Sequence, residues 1–170
     1  MVVLLPVCWR GRSVDNMDVK DAIQARKSCR DFIDDAFMKQ SDIDLILEAG
    51  KRAPYASGGP RRTFKVVKKI GDLLGHKSVT ECCNNQKHVR DSAVLVVVSG
   101  TDIKTKLQSG FPKFVHDCDA AMTQMILQAT ELDVGNCWIG HFSAPALQKV
   151  IGEDIRPVAV LALGLKRKNL

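Results

Sequence analysis

Apolar positions along the chain fall into two kinds of pattern, and each marks a different element. The longest periodic stretch runs from about Pro112 to Leu132. There Val115, Cys118, Met122, Met125, Ala129 and Leu132 recur at alternating spacings of three and four, which places them on one stripe of a helix. Ala120, Ala121, Ile126 and Leu127 extend apolar surface beyond the stripe, so this helix is central or is shared with a second subunit. Two unbroken apolar runs, Ala93 to Ser99 and Pro157 to Leu163, read as strands covered on both faces of a sheet. Phe64 to Lys69 reads as another strand, and Asn136 to Ile139 as a short one broken by Gly140.

Punctuation residues predict the remaining helices. Asp18 caps a short helix over 18 to 27, with Val19, Ala22, Ile23 and Arg26 at helical spacing. Ser41 is expected to cap a second, with Asp44 three residues on and Ile43, Ile46 and Leu47 facing inward. Pro54 ends it near Arg52, because the residue before a proline avoids helical geometry. Gly135 is expected as the C-terminal cap of the long helix. Ser143 and Pro145 open a last helix that closes at Gly152. Residues 70 to 91 show only a weak helix signal near Asp72 to Leu74. Helices and strands mix without regular alternation, so the expected class is α+β. Residues 17–170 read as a single domain and 1–16 as an extension outside it, with Met17 as the expected natural start.

Composition narrows the function classes. The chain has 170 residues, 45% hydrophobic and 26% charged, in the ordinary range for a soluble globular domain. A net charge of +6 permits an anionic ligand. Aromatics are only 5% and do not interleave with basic residues, which argues against nucleic acid as partner. Met1 to Val7 is apolar but too short to span a bilayer, and no membrane partner is expected. Six cysteines without a secretory signal point to reduced thiols and a cytoplasmic protein. His76, Cys82, Cys83 and His88 lie close in sequence without the spacing of a metal site, so no metal is expected. Neither a Gly-x-Gly-x-x-Gly, nor a Walker loop, nor a Gly-x-Ser-x-Gly occurs.

The sharpest chemical feature is the concentration of charge around one hydroxyl. Arg26, Lys27 and Arg30 surround Ser28, and like charges so close repel unless water screens them or an anion sits among them. A phosphate is the anion that takes several cations and a hydroxyl together. The alternative is that the cations serve the C-terminal dipole of the helix before them.

Four segments in order resemble the nitroreductase-like flavoprotein family. They are Ile23 to Phe32, Ile46 to Pro54, Asp119 to Phe142, and Pro157 to Gly164. The resemblance implies a nitroreductase-like fold: a central, mostly antiparallel sheet flanked by helices, with the long helix at a dimer interface. It implies FMN as cofactor and NADH or NADPH as donor. Arg26, Lys27 and Ser28 take the places of ligands to the flavin phosphate and ribityl chain. Arg30 takes that of a cation beside the flavin N1 and C2 oxygen, where it would stabilise the charge that reduction creates. Ile139 and Gly140 match the segment whose backbone lies beside N5. Pro54, Tyr55, Ala56, Ser57 and Gly58 form the small-residue loop of the site, and Lys166 and Arg167 supply further phosphate cations or, equally, a solvated basic tail. No side chain is assigned as general acid or base, because the flavin carries the chemistry.

The chain departs from the family pattern in that loop. Many relatives continue Ser-x-x-Asn-x-Gln-Pro-Trp, whereas here Gly58 stands at the Asn position. The leading expectation is a homodimeric oxidoreductase that passes hydride from NAD(P)H through flavin to a nitroaromatic or quinone. The loop keeps a second expectation open: a dehalogenase, flavin-fragmenting or azoline oxidase reaction on the same fold. A third, resting on the net charge, on Lys65, Lys68 and Lys69 and on the basic C-terminal tail, is a non-enzymatic anion- or nucleic-acid-binding module.

Overall fold

A computed structural model describes residues 17–152 and 155–167. The proposed extension 1–16 therefore lies outside the described residues. Strands β1 (Arg62–Lys68), β2 (Val94–Gly100), β3 (Gly135–Ile139) and β4 (Arg156–Gly164) form one antiparallel sheet in the order β1-β2-β4-β3. The two unbroken apolar runs are its two central strands, and every residue of β2 is buried. Successive side chains of a strand point to opposite faces. Val94, Val96 and Val98 accordingly join one core with Ile43, Ile46, Met122 and Met125. Leu95 and Val97 join the other, with Val79, Val89 and Leu147.

Helices cover both faces. One face carries α1 (Val19–Ala25), α2 (Gln40–Arg52) and the long α5 (Lys113–Glu131). The other carries α3 (Leu73–Cys82), α4 (Lys87–Arg90) and α6 (Ala144–Ile151). The α+β expectation and the long helix hold. On α5, Cys118, Met122, Met125 and Ala129 are fully buried, and Asp117, Ala121 and Ile126 widen the buried arc. Helix α2 lies close on α5 because Gly50 has no side chain: a Cβ there would come 2.9 Å from the Met125 sulfur. No helix among the described residues is long and apolar enough to cross a membrane.

Four local expectations are corrected. Helix α2 starts at Gln40, because the Ile43 amide already bonds the Lys39 carbonyl; Ser41 sits inside the first turn and bonds Asp42 rather than capping. Helix α1 stops at Ala25, which leaves its last turn without a basic side chain. Arg26 is the C-cap residue itself, so the dipole account keeps that cation, while Lys27 lies beyond the helix. Helix α5 ends with Asp133, not Gly135, in the left-handed conformation (φ 56°), and Gly135 opens β3. The segment 70–91 holds two helices; the inward face of α3 mixes His76, Thr80 and Cys82 with Val79, which masks the apolar period.

Candidate functional site

The segment carrying Arg26 to Arg30 is pinned to the sheet by one aromatic ring. Phe32 is fully buried, and its ring lies against Gly135 and Gly164, where an added Cβ would come within 3.0 Å of it. Backbone bonds complete the strap. The Cys29 amide donates to the Asn136 carbonyl at 2.7 Å, Ile33 to Leu165 at 2.9 Å, and Arg167 to Asp31 at 3.1 Å. The chain after β4 thus runs antiparallel beside Phe32 and brings Lys166 and Arg167 to the Lys27–Arg30 segment.

These residues line one cleft of about 300 Å³, whose walls include Lys27, Arg30, Asn136, Lys166 and Arg167. Lys166 reaches Asp133 at 2.5 Å, and Arg167 reaches Asp31 at 3.3 Å, both at the exposed rim. Arg26, Lys27 and Arg30 form no ion pair among the described residues. Burial pushes the Cys137 thiol up, while the Arg30 charge and the Ser28 hydroxyl act against that shift. Burial also lowers His88, and the Arg30 charge lowers it further. Arg30 is thus within electrostatic reach of both Cys137 on β3 and His88 on α4.

Strand β3 leads from the cleft to Ile139 and Gly140, about 13 Å away at the rise of an extended chain. Ile139 is buried, Gly140 is exposed, and the space a side chain would take at Gly140 is open. Pro54 to Gly58 lie elsewhere. Their loop is held by Asp117, a fully buried carboxylate on α5. One Asp117 oxygen accepts from the Ala56 amide at 2.7 Å and the other from the Arg61 amide at 2.9 Å. The Arg61 guanidinium donates to the carbonyls of Ala56, Ser57 and Gly59 and pairs with Asp102 at 3.0 Å. The Thr105 hydroxyl and then Arg61 hold Asp102 down to about 2. Arg62 donates to the carbonyls of Lys51, Ala53 and Pro54, and its guanidinium carbon sits 5.9 Å from the centre of the Tyr55 ring. Lys113 closes the outer side with bonds to Ser57.

The expected site residues thus form two groups. Lys27, Arg30, Lys166 and Arg167 meet in the cleft, with Ser28 beside it against Cys137, and Ile139 and Gly140 follow along β3. The 54–58 loop sits at the other end of α5, and the helix from Asp117 to Thr130 separates the two by about 20 Å. Asp117, Arg61 and Lys113 escaped the sequence reading. Asp117 did leave a trace, as a carboxylate inside an otherwise apolar helical arc.

Comparison with known proteins identifies the family and supports the fold. Residues 23–165 match the profile of the Nitroreductase family. The chain belongs to the nitroreductase family. A protein of Methanothermobacter thermautotrophicus, provisionally named an NADH dehydrogenase/NAD(P)H nitroreductase, is 29% identical over 164 residues, 92% of this chain and 81% of that protein. Among solved structures, a nitroreductase family protein from Clostridium novyi superposes with a TM-score of 0.78 at 23% identity, covering 89% of this chain and 87% of that one. A provisionally assigned nitroreductase from Desulfovibrio desulfuricans, crystallised with FMN, gives 0.75 at 24% identity over 88% and 87%. Family membership makes the protein an oxidoreductase.

Proposed function

We propose that this nitroreductase-family protein uses FMN to pass electrons from NADH or NADPH to an electron-poor acceptor such as a nitroaromatic or a quinone, in a ping-pong sequence. The observation that carries the reading is the convergence of Lys27, Arg30, Lys166 and Arg167 on one cleft from opposite ends of the chain. Cations gathered without enough internal counter-charge fit a phosphate. Arg26, Lys27 and Ser28, with Lys166 and Arg167, would hold that phosphate and the ribityl chain. Arg30 would stabilise negative charge on the reduced ring, and the open backbone at Gly140 leaves room for the ring to approach. When bound, the flavin supplies the two-electron chemistry; the protein supplies position and charge.

A single protomer cannot bring the 54–58 loop to its own cleft across the length of α5. A homodimer that sets the loop of one protomer against the cleft of its partner completes the site. Surface next to α5 suits such a contact: Val19 and Ile23 on α1 are exposed, and Leu127 is only partly covered. The atypical loop, with Gly58 in place of a polar side chain, keeps a different FMN reaction on this fold as the second reading. The basic-module reading is weakened by its own residues. Lys65 bonds the Val150 carbonyl, Lys68 bonds Gln40, and Lys69 pairs with Asp34 and Asp35.

The test is the visible spectrum of the purified protein with excess FMN, followed by anaerobic addition of NADH and of NADPH. A flavin spectrum bleached by either donor supports the reading. A preparation that stays colourless overturns it.

A further inference from the structure

The loop after Pro54 directs its backbone groups in an ordered way. The Ala56 amide points inward to Asp117. The carbonyls of Ala56 and Ser57 then turn inward to the Arg61 guanidinium, at 3.4 and 3.1 Å. In a planar trans peptide the N–H points opposite to the C=O, and no peptide bond among the described residues is cis. The amides of Ser57 and Gly58 must therefore leave the loop on the side away from Arg61. Neither has a protein acceptor among the described residues, and both residues are exposed. Gly58 and Gly59 make this possible with φ of 94° and 101°. Successive outward N–H groups bind an anionic or carbonyl oxygen. The Lys113 ammonium, 3.3 Å from the Ser57 hydroxyl, adds positive charge on the same loop.

We propose that Arg61 and Asp117 are positioning residues that present the Ser57 and Gly58 amides as main-chain donors to an oxygen of FMN. In this arrangement Arg61 also fills the room beside Gly58: a Cβ built on Gly58 would lie 2.9 Å from the Arg61 Nη2. Gly58 and Arg61 are therefore a matched pair, in which a half-buried fork on the backbone does what a polar side chain at 58 would do directly. The inference rests on the FMN reading above.

A double-mutant cycle tests it, with FMN as the probe. Arg61→Ala should weaken FMN binding about tenfold, the worth of a main-chain hydrogen bond whose donor is no longer held in place. Arg61→Lys should not restore it, because an ammonium cannot hold three carbonyls as the guanidinium fork does. Gly58→Asn should weaken binding in the wild-type background, where it meets Arg61. In the Arg61→Ala background the same change should recover part of the loss, since room and an amide are then both present. The backbone strain at φ 94° is common to both backgrounds and cancels in the comparison. Riboflavin, which lacks the phosphate, identifies the oxygen. Equal losses for riboflavin and FMN, with a lowered midpoint potential, assign a ring carbonyl; a loss confined to FMN assigns the phosphate. Unchanged affinity in Arg61→Ala, or an identical effect of Gly58→Asn in both backgrounds, overturns the proposal. A wild-type protein that binds no FMN would instead overturn the reading beneath it.

Discussion

The two halves of the candidate site are both rich in arginine and lysine, yet they use charge in opposite ways. Around 53–62 the charges are spent inside the protein. Asp117 is fully buried on two backbone amides, and Arg61 and Arg62 donate to a ring of loop carbonyls. Around 26–30 and 166–167 the strap is held by backbone bonds and one buried ring, while the side-chain charges stay at the surface. Only Lys166 and Arg167 find carboxylates there, at the exposed rim. A charge consumed by the fold makes a shape; a charge left over makes a binding site. The loop should therefore fail as structure when its charges are removed, and the cleft should fail as a receptor.

The largest expected effect follows from the buried side of that contrast. Asp117→Ala leaves two inward amide groups without an acceptor, at a cost of about 3 kcal/mol in folding free energy. The change should appear as a lower denaturant midpoint. A loss below about 0.5 kcal/mol, the size of an ordinary surface substitution, would show that the carboxylate is not what holds the loop.

On the open side the expectation inverts. Lys27→Ala combined with Arg30→Ala should leave the denaturant midpoint almost unchanged, since neither side chain forms an ion pair among the described residues. FMN affinity should fall about a hundredfold, as expected when one charge-assisted contact to the phosphate and one to the flavin ring are lost together. Arg30→Ala alone sharpens the point, because Arg30 is assigned to the ring and not to the phosphate. It should lower the flavin midpoint potential by roughly 30 mV, equivalent to about 1.4 kcal/mol for a two-electron couple, and slow hydride uptake. Spectroelectrochemical titration reads the first, and stopped-flow bleaching reads the second. An unchanged potential removes Arg30 from the ring.

The same contrast explains what the sequence disclosed. The central strands were visible as unbroken apolar runs, because a strand buried on both faces has no polar positions to hide it. Charge left at the surface was visible for the same reason: Arg26, Lys27 and Arg30 have no local partners to explain them away. Charge spent inside the fold was invisible, because its partners are backbone atoms far along the chain. Asp117 pairs with amides 61 and 56 residues away, and no local pattern encodes that. Helix α3 was faint because His76, Thr80 and Cys82 occupy its buried face. Gly135 carries the local signature of a helix stop, but its place in the fold is to leave room for the Phe32 ring, a contact from the other end of the chain.

The smallest expected effect concerns Asp102, which accepts from the Nε of Arg61 at 3.0 Å. Its carboxyl is held at about 2, below the ordinary 3.8, chiefly by the Thr105 hydroxyl and then by Arg61. The depressed value means that the folded state favours the charged form. Its contribution to stability is therefore complete above about pH 4 and fades as the pH falls from there toward 2. Asp34 is lowered as well, through its bond to Lys69, so the wild-type slope in this window mixes both groups. The difference between wild type and Asp102→Asn isolates one of them. The two denaturation midpoints should lie apart at pH 6 and draw together at pH 3. The gap should be small, since solvent screens so exposed a carboxylate. Because Arg61 keeps its loop carbonyls when Asp102 is lost, FMN affinity should change far less than in Arg61→Ala. An equal loss in the two variants would mean that Asp102, and not the carbonyl fork, fixes the loop.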